Sequence, residues 1–135
     1  MRLIDLLNEV LDSGGIRCCK QSGHIQLTLC SGPHKWSVCF TEDRESFLKY
    51  YARYPWHIAP DRLNETIAAL NEMNVSLRAG CFLVSEGYVV FRYGVYIFDE
   101  FTAKEIIADL FITAAAKTEA AWDEVYRAVC GREVH

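Results

Sequence analysis

Apolar residues alternate with small polar residues from Ile16 to Thr41, and two short turn segments interrupt this alternation. A period of two is typical of β-strands that bury only one face. Ser22-Gly23 has the composition of a two-residue hairpin turn, and Ser31-Gly32-Pro33-His34 has that of a second turn. The sequence therefore predicts three consecutive antiparallel strands, over Ile16–Gln21, His24–Cys30 and Lys35–Thr41.

Pairing residues across the two turns predicts the register of these strands. Ile16 lies opposite Leu29, and Ile25 lies opposite Phe40, so that one face is apolar. Because a solvated face is normally richer in Lys and Glu, we expect another chain to cover the opposite face. That opposite face consists of Arg17, Cys19, Gln26, Thr28, Cys30, Ser37 and Cys39.

Two amphipathic helices are predicted on either side of the strands. Leucine and valine residues recur at helical spacing from Leu3 to Leu11, and Ser13-Gly14-Gly15 ends this helix. A second helix begins at Pro60, where the fixed ring suits the first helical position, and ends at Asn74 in the left-handed conformation. Its predicted apolar face consists of Leu63, Ile67 and Leu70.

The segment Ser46–Tyr54 has two interpretations. Its aromatic content favours a fourth strand that ends before Pro55, because residues ahead of proline avoid helical angles. Both faces are apolar, however, so a short helix is the alternative. Farther along, Val75–Val84 and Tyr88–Val95 are predicted to form a hairpin around Glu86-Gly87.

The last helix has the clearest start signal in the sequence. Thr102 and Glu105 have the spacing of a capping box, and Phe101 and Ile106 have that of a hydrophobic staple. The apolar stripe continues to Gly131, which is unusually long for one helix. We therefore expect a break near Lys117-Thr118-Glu119.

These elements place the chain in the α+β class as one domain, residues 1–135. The predicted order is helix, three or four antiparallel strands, helix, two strands and helix, with the helices packed on the sheet. Lys and Arg number 14 against 18 Asp and Glu, giving a net charge of −4. This acidic balance argues against nucleic acid as a partner.

The cellular location is predicted from the absence of export and membrane signals. Asp5, Asn8 and Glu9 interrupt any signal-peptide core, and Ile106–Ala116 is too short to span a bilayer. In that context the six cysteines are expected to be free thiols. The protein is therefore expected in the cytoplasm, away from the membrane.

No motif in the sequence names a reaction. There is no Cys-x-x-Cys pair and no phosphate-binding loop, and nothing places a base beside a nucleophile. The sequence therefore predicts no catalytic residue, no metal site and no cofactor, and the chain is not expected to be an enzyme.

An aromatic segment with interspersed cations remains to be interpreted, and it allows three readings. Its residues could belong to an edge strand and the core, to a protein-binding surface, or to a platform on which bases stack. The net charge makes the third reading the least favoured. The segment comprises Lys49, Tyr50, Tyr51, Arg53, Tyr54, Trp56 and His57.

Three motifs between the second predicted helix and the hairpin form a recognisable pattern: Leu70-Asn71-Glu72-Met73-Asn74, Leu77-Arg78-Ala79-Gly80-Cys81-Phe82 and Glu86-Gly87-Tyr88-Val89-Val90-Phe91-Arg92. This pattern resembles that of the YbjN family of bacterial proteins, which are regarded as sensory transduction regulators. The final helix departs from the family pattern, because it has no proline near Asp123.

The resemblance implies the fold of type III secretion chaperones and a protein-binding regulator without catalytic residues. It gives an architectural role to Asn71, Asn74, Gly80, Phe82 and Gly87. We accordingly expect a protein-interaction or chaperone-like module, with a homodimer as one arrangement and a small-molecule-binding sensor as the alternative function. The predicted partner-binding residues are Thr28, Tyr54, Trp56 and Arg92.

Overall fold

A computed structural model describes residues 2–44 and 46–131 of the chain, and the structural statements that follow concern these residues. They contain four α-helices and six β-strands, with a 3₁₀ turn at Pro60–Arg62. The elements in chain order are α1 (Leu3–Ser13), β1 (Cys19–Gln21), β2 (His24–Ser31), β3 (His34–Asp43), β4 (Phe47–His57), α2 (Leu63–Ser76), β5 (Cys81–Ser85), β6 (Tyr88–Tyr96), α3 (Ala103–Ala120) and α4 (Trp122–Cys130).

The six strands form one antiparallel sheet in the order β1-β2-β3-β4-β6-β5. The α+β class and the predicted order of elements are confirmed. The register predicted for β2 and β3 is also confirmed, since Ile25 pairs with Phe40, and β1 pairs as predicted at Cys19 with Gln26. The predicted pairing of Ile16 with Leu29 does not form, because Ile16 lies outside β1.

Strand β1 is shorter than predicted because the end of α1 holds the residues before it. Gly15 has φ +71°, and the Ile16 amide donates to the Leu11 carbonyl at 2.9 Å. The Gly15 amide donates to the Asp12 carbonyl, which completes the pair of hydrogen bonds of a Schellman motif. Ile16 therefore terminates the helix instead of opening a strand.

Strand β4 settles the two readings of Ser46–Tyr54 in favour of a strand, but its predicted end is wrong. The strand passes Pro55 and ends at His57. Its pairing with β6 shifts register between Arg53 and His57. Proline has no amide to donate to a ladder, and an irregularity in the pairing is where a strand tolerates it.

All four helices pack on one face of the sheet, and the core lies between them. The inner face contributes large buried side chains such as Phe40, Tyr50 and Phe91, and α1 contributes Leu3 and Leu7. The predicted break in the last helix is confirmed at Ala121, two residues beyond the expected segment.

Helix α2 turns a different face to the core from the one predicted. Leu70 is buried, but Leu63 and Ile67 are 38% and 40% exposed, and Thr66 is fully buried instead. The Thr66 hydroxyl lies 2.8 Å from the Arg62 carbonyl and 2.9 Å from the Ala128 carbonyl. A threonine that satisfies its hydroxyl in this way can be buried, and hydrophobic periodicity does not reveal it.

The capping box and the staple predicted for α3 do not form, although the helix begins where expected. No side chain caps the helix at Thr102, whose hydroxyl faces Asp99 Oδ2 at 3.3 Å. Asp99 Oδ1 accepts the Phe101 amide at 3.0 Å. Phe101 itself is 97% exposed, so it makes no staple.

Asn74 lies inside α2 and is not the left-handed residue predicted for the helix end. Its side-chain Nδ2 donates to the Phe82 carbonyl at 2.9 Å, and its Oδ1 accepts the Phe82 amide at 2.7 Å. Strand β5 is an edge strand, so both Phe82 groups would otherwise face an open edge. The amide of Asn74 thus replaces a neighbouring strand at this residue.

The two glycines predicted to be architectural both have positive φ, +80° at Gly80 and +84° at Gly87. A Cβ on Gly80 would meet the Arg92 carbonyl at 2.8 Å, and one on Gly87 would meet the His57 ring at 2.5 Å. These backbone angles and close approaches fit the roles expected for the two glycines, at the entry to β5 and in the hairpin turn.

We expect Asn74→Ala to lower the free energy of unfolding by about 1–3 kcal/mol, because it leaves two groups of the Phe82 backbone without their partner. Urea denaturation measures the change. Asn71→Ala is the matched control, since Asn71, to which the resemblance gives an architectural role, has an exposed side chain on the same helix. Its expected effect lies within about 0.5 kcal/mol. Equal losses in both variants would contradict the assigned role.

Candidate protein-interaction surface

The face of the sheet opposite the helices is its outer face, made of the side chains that alternate with the core residues. Two cross-strand rows define it. One row runs through Cys19, Gln26, Cys39, Tyr51, Arg92 and Cys81. The adjacent row runs through Thr28, Ser37, Arg53, Val90 and Leu83.

The two halves of the outer face differ in chemistry. The half on β1, β2 and β3 is small and mostly uncharged, as the sequence predicted. The half on β4 and β6 carries cations placed over tyrosines. The Arg53 guanidinium lies 4.7 Å from the ring centre of Tyr88, and Lys49 Nζ lies 5.6 Å from that of Tyr51. Such contacts hold a cation in place while leaving it accessible.

Two adjoining grooves of about 560 and 440 Å³ share Thr28, Ser37 and Arg53, and together we term them the Thr28 groove. A further groove of about 860 Å³, the Arg92 groove, lies toward the other end of the outer face. Its walls include Lys49, Arg92 and Tyr96. The outer face is therefore grooved and able to seat a chain.

The structure places three of the four predicted partner-binding residues at these grooves. Thr28 lines both parts of the Thr28 groove, and the half-buried Trp56 lines the larger part. Arg92 is exposed and lines the Arg92 groove. Trp56 also packs edge-on against Trp122 at 4.9 Å, so it joins the core to the surface.

Tyr54 is the exception, and its prediction as a partner-binding residue is wrong. Its side chain is fully buried, and its hydroxyl donates to the Thr118 carbonyl at 2.7 Å. Burial raises the pKa of this phenol well above its ordinary value, which keeps the donor proton in place. Strand alternation puts Tyr54 on the same face as Tyr50 and Ala52, where it docks α3 on the sheet.

Sequence reasoning missed an aromatic patch at the end of β6, formed by Phe47, Tyr96 and Phe98. Phe47 and Tyr96 have ring centres 4.5 Å apart, and Tyr96 and Phe98 stack at 5.7 Å with an angle of 8°. Tyr96 and Phe98 are 59% and 76% exposed. Tyr96 and Phe98 lie two positions apart in the sequence, and this alternation of aromatic residues was the signal that could have predicted the patch. Exposed, contiguous apolar surface of this kind is typical of interaction sites.

The six cysteines are free thiols, as predicted. Cys19, Cys30, Cys39 and Cys81 occupy strand positions on the outer face, whereas Cys130 ends α4 on the helical side. Burial raises the pKa of the Cys39 thiol, which lowers its reactivity. Within residues 2–44 and 46–131, no three histidine, cysteine or acidic side chains are grouped so as to hold a metal ion.

None of the helices in the described ranges combines the length and apolarity needed to cross a membrane. Together, the open sheet face and the helices behind it define an α+β protein with all helices on one face of an antiparallel sheet. No protein-family model matches the sequence, and no curated protein matches it either.

Two solved structures share the fold. YbjN of E. coli, a candidate transcription regulator, aligns with a TM-score of 0.59 over 94% of this chain and 88% of its own, at 12% identity. The Yersinia pestis type III secretion chaperone SycH, solved with a stable fragment of YscM2, aligns with a TM-score of 0.57. That alignment covers 88% of this chain and 98% of SycH, at 14% identity. The fold implied by the sequence resemblance is confirmed.

The corrected position of Tyr54 generates a prediction. Tyr54→Phe leaves the Thr118 carbonyl without its buried donor and should lower the free energy of unfolding by about 1–3 kcal/mol. Tyr51→Phe on the outer face is the control, with an expected change within about 0.5 kcal/mol. Chemical denaturation followed by tryptophan fluorescence measures both. An unchanged denaturation midpoint for Tyr54→Phe would show that the Tyr54 hydroxyl does not stabilise the core.

Proposed function

We propose that this protein is a non-enzymatic, chaperone-like module that binds another protein through the outer face of its sheet. The observation that carries the proposal is that all four helices pack on the other face, which leaves the two cross-strand rows uncovered. One half of this face is composed of small, mostly uncharged side chains. This composition is closer to that of a surface covered by another chain than to that of a surface exposed to solvent.

The grooves and the aromatic patch support this function. Thr28, Trp56 and Arg92 remain the proposed contact residues, because each lines a groove that opens on the outer face. Phe98 and Tyr96 add exposed aromatic area beside the Arg92 groove, and aromatic residues and arginine are enriched in interface centres. The fold neighbour SycH was solved with a bound protein fragment, which fits the same reading.

The biological setting is part of the proposal. We infer a cytoplasmic regulatory role for a single domain spanning residues 1–135, with free thiols and no cofactor. The partner is a protein and not a nucleic acid. A second copy of the chain is one such partner, which makes a homodimer one form of the assembly.

A small-molecule sensor has less support than a protein-binding module. A groove of about 850 Å³ lies between α2 and the last two helices, with Phe82 and Phe91 of the sheet in its lining. Charged side chains such as Arg62, Glu72 and Glu124 line it beside Met73 and Leu77. A ligand site is typically an enclosed apolar pocket with a few convergent polar groups. This groove is open and its lining is charged, so it does not have that character.

Thr28→Arg tests the proposed function by placing a long side chain in the centre of the Thr28 groove. We expect it to abolish association, either with itself in light scattering or with a protein captured from the source cell. Val75→Arg is the matched control, because Val75 is 86% exposed on α2, outside the sheet. The circular dichroism spectrum should be unchanged in both variants. Association of Thr28→Arg at the parent level would exclude the outer face as the interface.

The native thiols provide an independent footprint of the same interface. When the partner is bound, we expect alkylation of Cys39 and Cys81 to slow severalfold, while Cys130 on the helical side reacts as before. Mass spectrometry of the alkylated peptides measures each rate. Protection of Cys130 alone would move the interface to the helices.

A further inference from the structure

The outer face differs in charge from the rest of the protein. Within the described strands its charged side chains are Lys35, Lys49, Arg53 and Arg92, with Asp43 as the single carboxylate. The whole chain has 14 cationic and 18 acidic residues, and among the residues that the structure describes, nine cations and 15 carboxylates lie off this face. A positive face therefore lies on an otherwise acidic molecule.

Three of these cations have no carboxylate partner among the described residues. Lys49 is the exception, since its Nζ lies 2.8 Å from Asp43 Oδ2 and its pKa is raised by that carboxylate. Arg53 stacks on Tyr88, and Arg92 lies opposite Tyr51 and Cys81. A cluster of like charges is unfavourable by itself and is relieved when an anion binds.

The register arranges the three unpaired cations on a diagonal. Arg53 on β4 pairs with Ser37 of β3 on one side and with Val90 of β6 on the other. Lys35 lies two residues from Ser37 along β3. Arg92 lies two residues from Val90 along β6, toward the opposite end of the sheet. Strand spacing and rise give steps of about 8 Å from Lys35 to Arg53 and from Arg53 to Arg92. Side chains on one side of an extended peptide recur every ~7 Å.

We propose that the outer face binds an extended, acidic segment of a partner protein, whose carboxylates at alternate positions contact Lys35, Arg53 and Arg92. This proposal rests on the proposed function and adds the class of partner. The segment lies diagonally across β3, β4 and β6, along the Thr28 groove toward the Arg92 groove. The carboxylates of the segment pair with the three cations, for which the described sheet contains no carboxylate partner.

The charge distribution favours an acidic peptide over a nucleic acid. A short peptide with three or four carboxylates fits within the positive face. A longer polyanion would extend over the surrounding surface, where the described carboxylates outnumber the described cations by 15 to nine. The acidic surroundings therefore select for a short anionic segment.

The test uses labelled nonapeptides and the full-length chain. One peptide has glutamate at every second position between serine and threonine, a second has the same composition with its glutamates contiguous, and a third has glutamine in their place. Fluorescence anisotropy at low salt measures binding. We expect the alternating peptide to bind at least fivefold more tightly than the contiguous one, and the glutamine peptide not to bind.

Charge-neutralising variants assign the site. Arg53→Gln combined with Arg92→Gln should weaken binding of the alternating peptide at least tenfold. Lys20→Gln combined with Lys104→Gln removes the same charge from ion pairs with Asp5 and Glu9 and should change binding less than twofold. Arg53→Lys combined with Arg92→Lys keeps the charge and should retain most of the affinity. Circular dichroism and thermal melting verify that each variant is folded.

Several results would overturn the proposal. These are the absence of saturable binding up to millimolar peptide, equal binding of the alternating and contiguous peptides, equal loss in the two double Gln variants, or tighter binding of a single-stranded oligonucleotide of the same charge. If no acidic peptide binds while Thr28→Arg still abolishes protein association, the acidic partner is wrong and the protein-binding function stands. If Thr28→Arg leaves association unchanged, the function itself fails.

Discussion

A buried hydrogen-bonded network between the sheet and the last helices holds the molecule together. Tyr50 and Tyr54 point from β4 into the core, where the Tyr50 hydroxyl lies 2.8 Å from the Thr118 hydroxyl and the Tyr54 hydroxyl donates to the Thr118 carbonyl. Trp36 Nε1 donates to the same Tyr50 oxygen at 3.2 Å. Every polar side-chain atom in this cluster has a hydrogen-bond partner, so burying the cluster does not leave an unsatisfied polar group in the core. The network fixes α3 against the sheet near the residue where α3 ends and α4 begins. It also gives the Thr118 carbonyl, in the last turn of α3, a hydrogen-bond donor.

The free outer face follows from this arrangement. Because β4 directs Tyr50, Tyr54 and other large rings inward, all four helices pack on that side of the sheet, and the alternate residues of the same strands lie on the outer face. The Asn74 amide also occupies the backbone groups of Phe82 on the edge strand β5, which limits pairing of another strand at that residue. The described helices carry more carboxylates than cations, whereas the outer face carries more cations than carboxylates, so the two sides of the molecule differ in charge.

Periodicity and turn chemistry were sufficient to predict most of the fold. The register of β2 and β3, the hairpin at Glu86-Gly87 and the break in the last helix are local or nearly local features, and each is confirmed. Two of the errors have a common cause. The left-handed Asn74 and the apolar face containing Leu63 and Ile67 were inferred from short windows. In the structure the partners are remote: Phe82 for Asn74, and Ala128 for Thr66.

The sequence by itself determined that strands alternate between an apolar and a small polar face, because side chains of a strand point to opposite sides whatever surrounds them. It also determined where glycines must relieve the backbone, as at Gly80 and Gly87. Only the tertiary structure decided which aromatic residues face the core, since a run with two apolar faces fits either choice until neighbouring strands fix its register. It alone buried Tyr54, exposed Phe98, and brought Lys35, Arg53 and Arg92 from three strands onto one diagonal. Distances between strands that are far apart in the chain depend on packing, which no local pattern encodes.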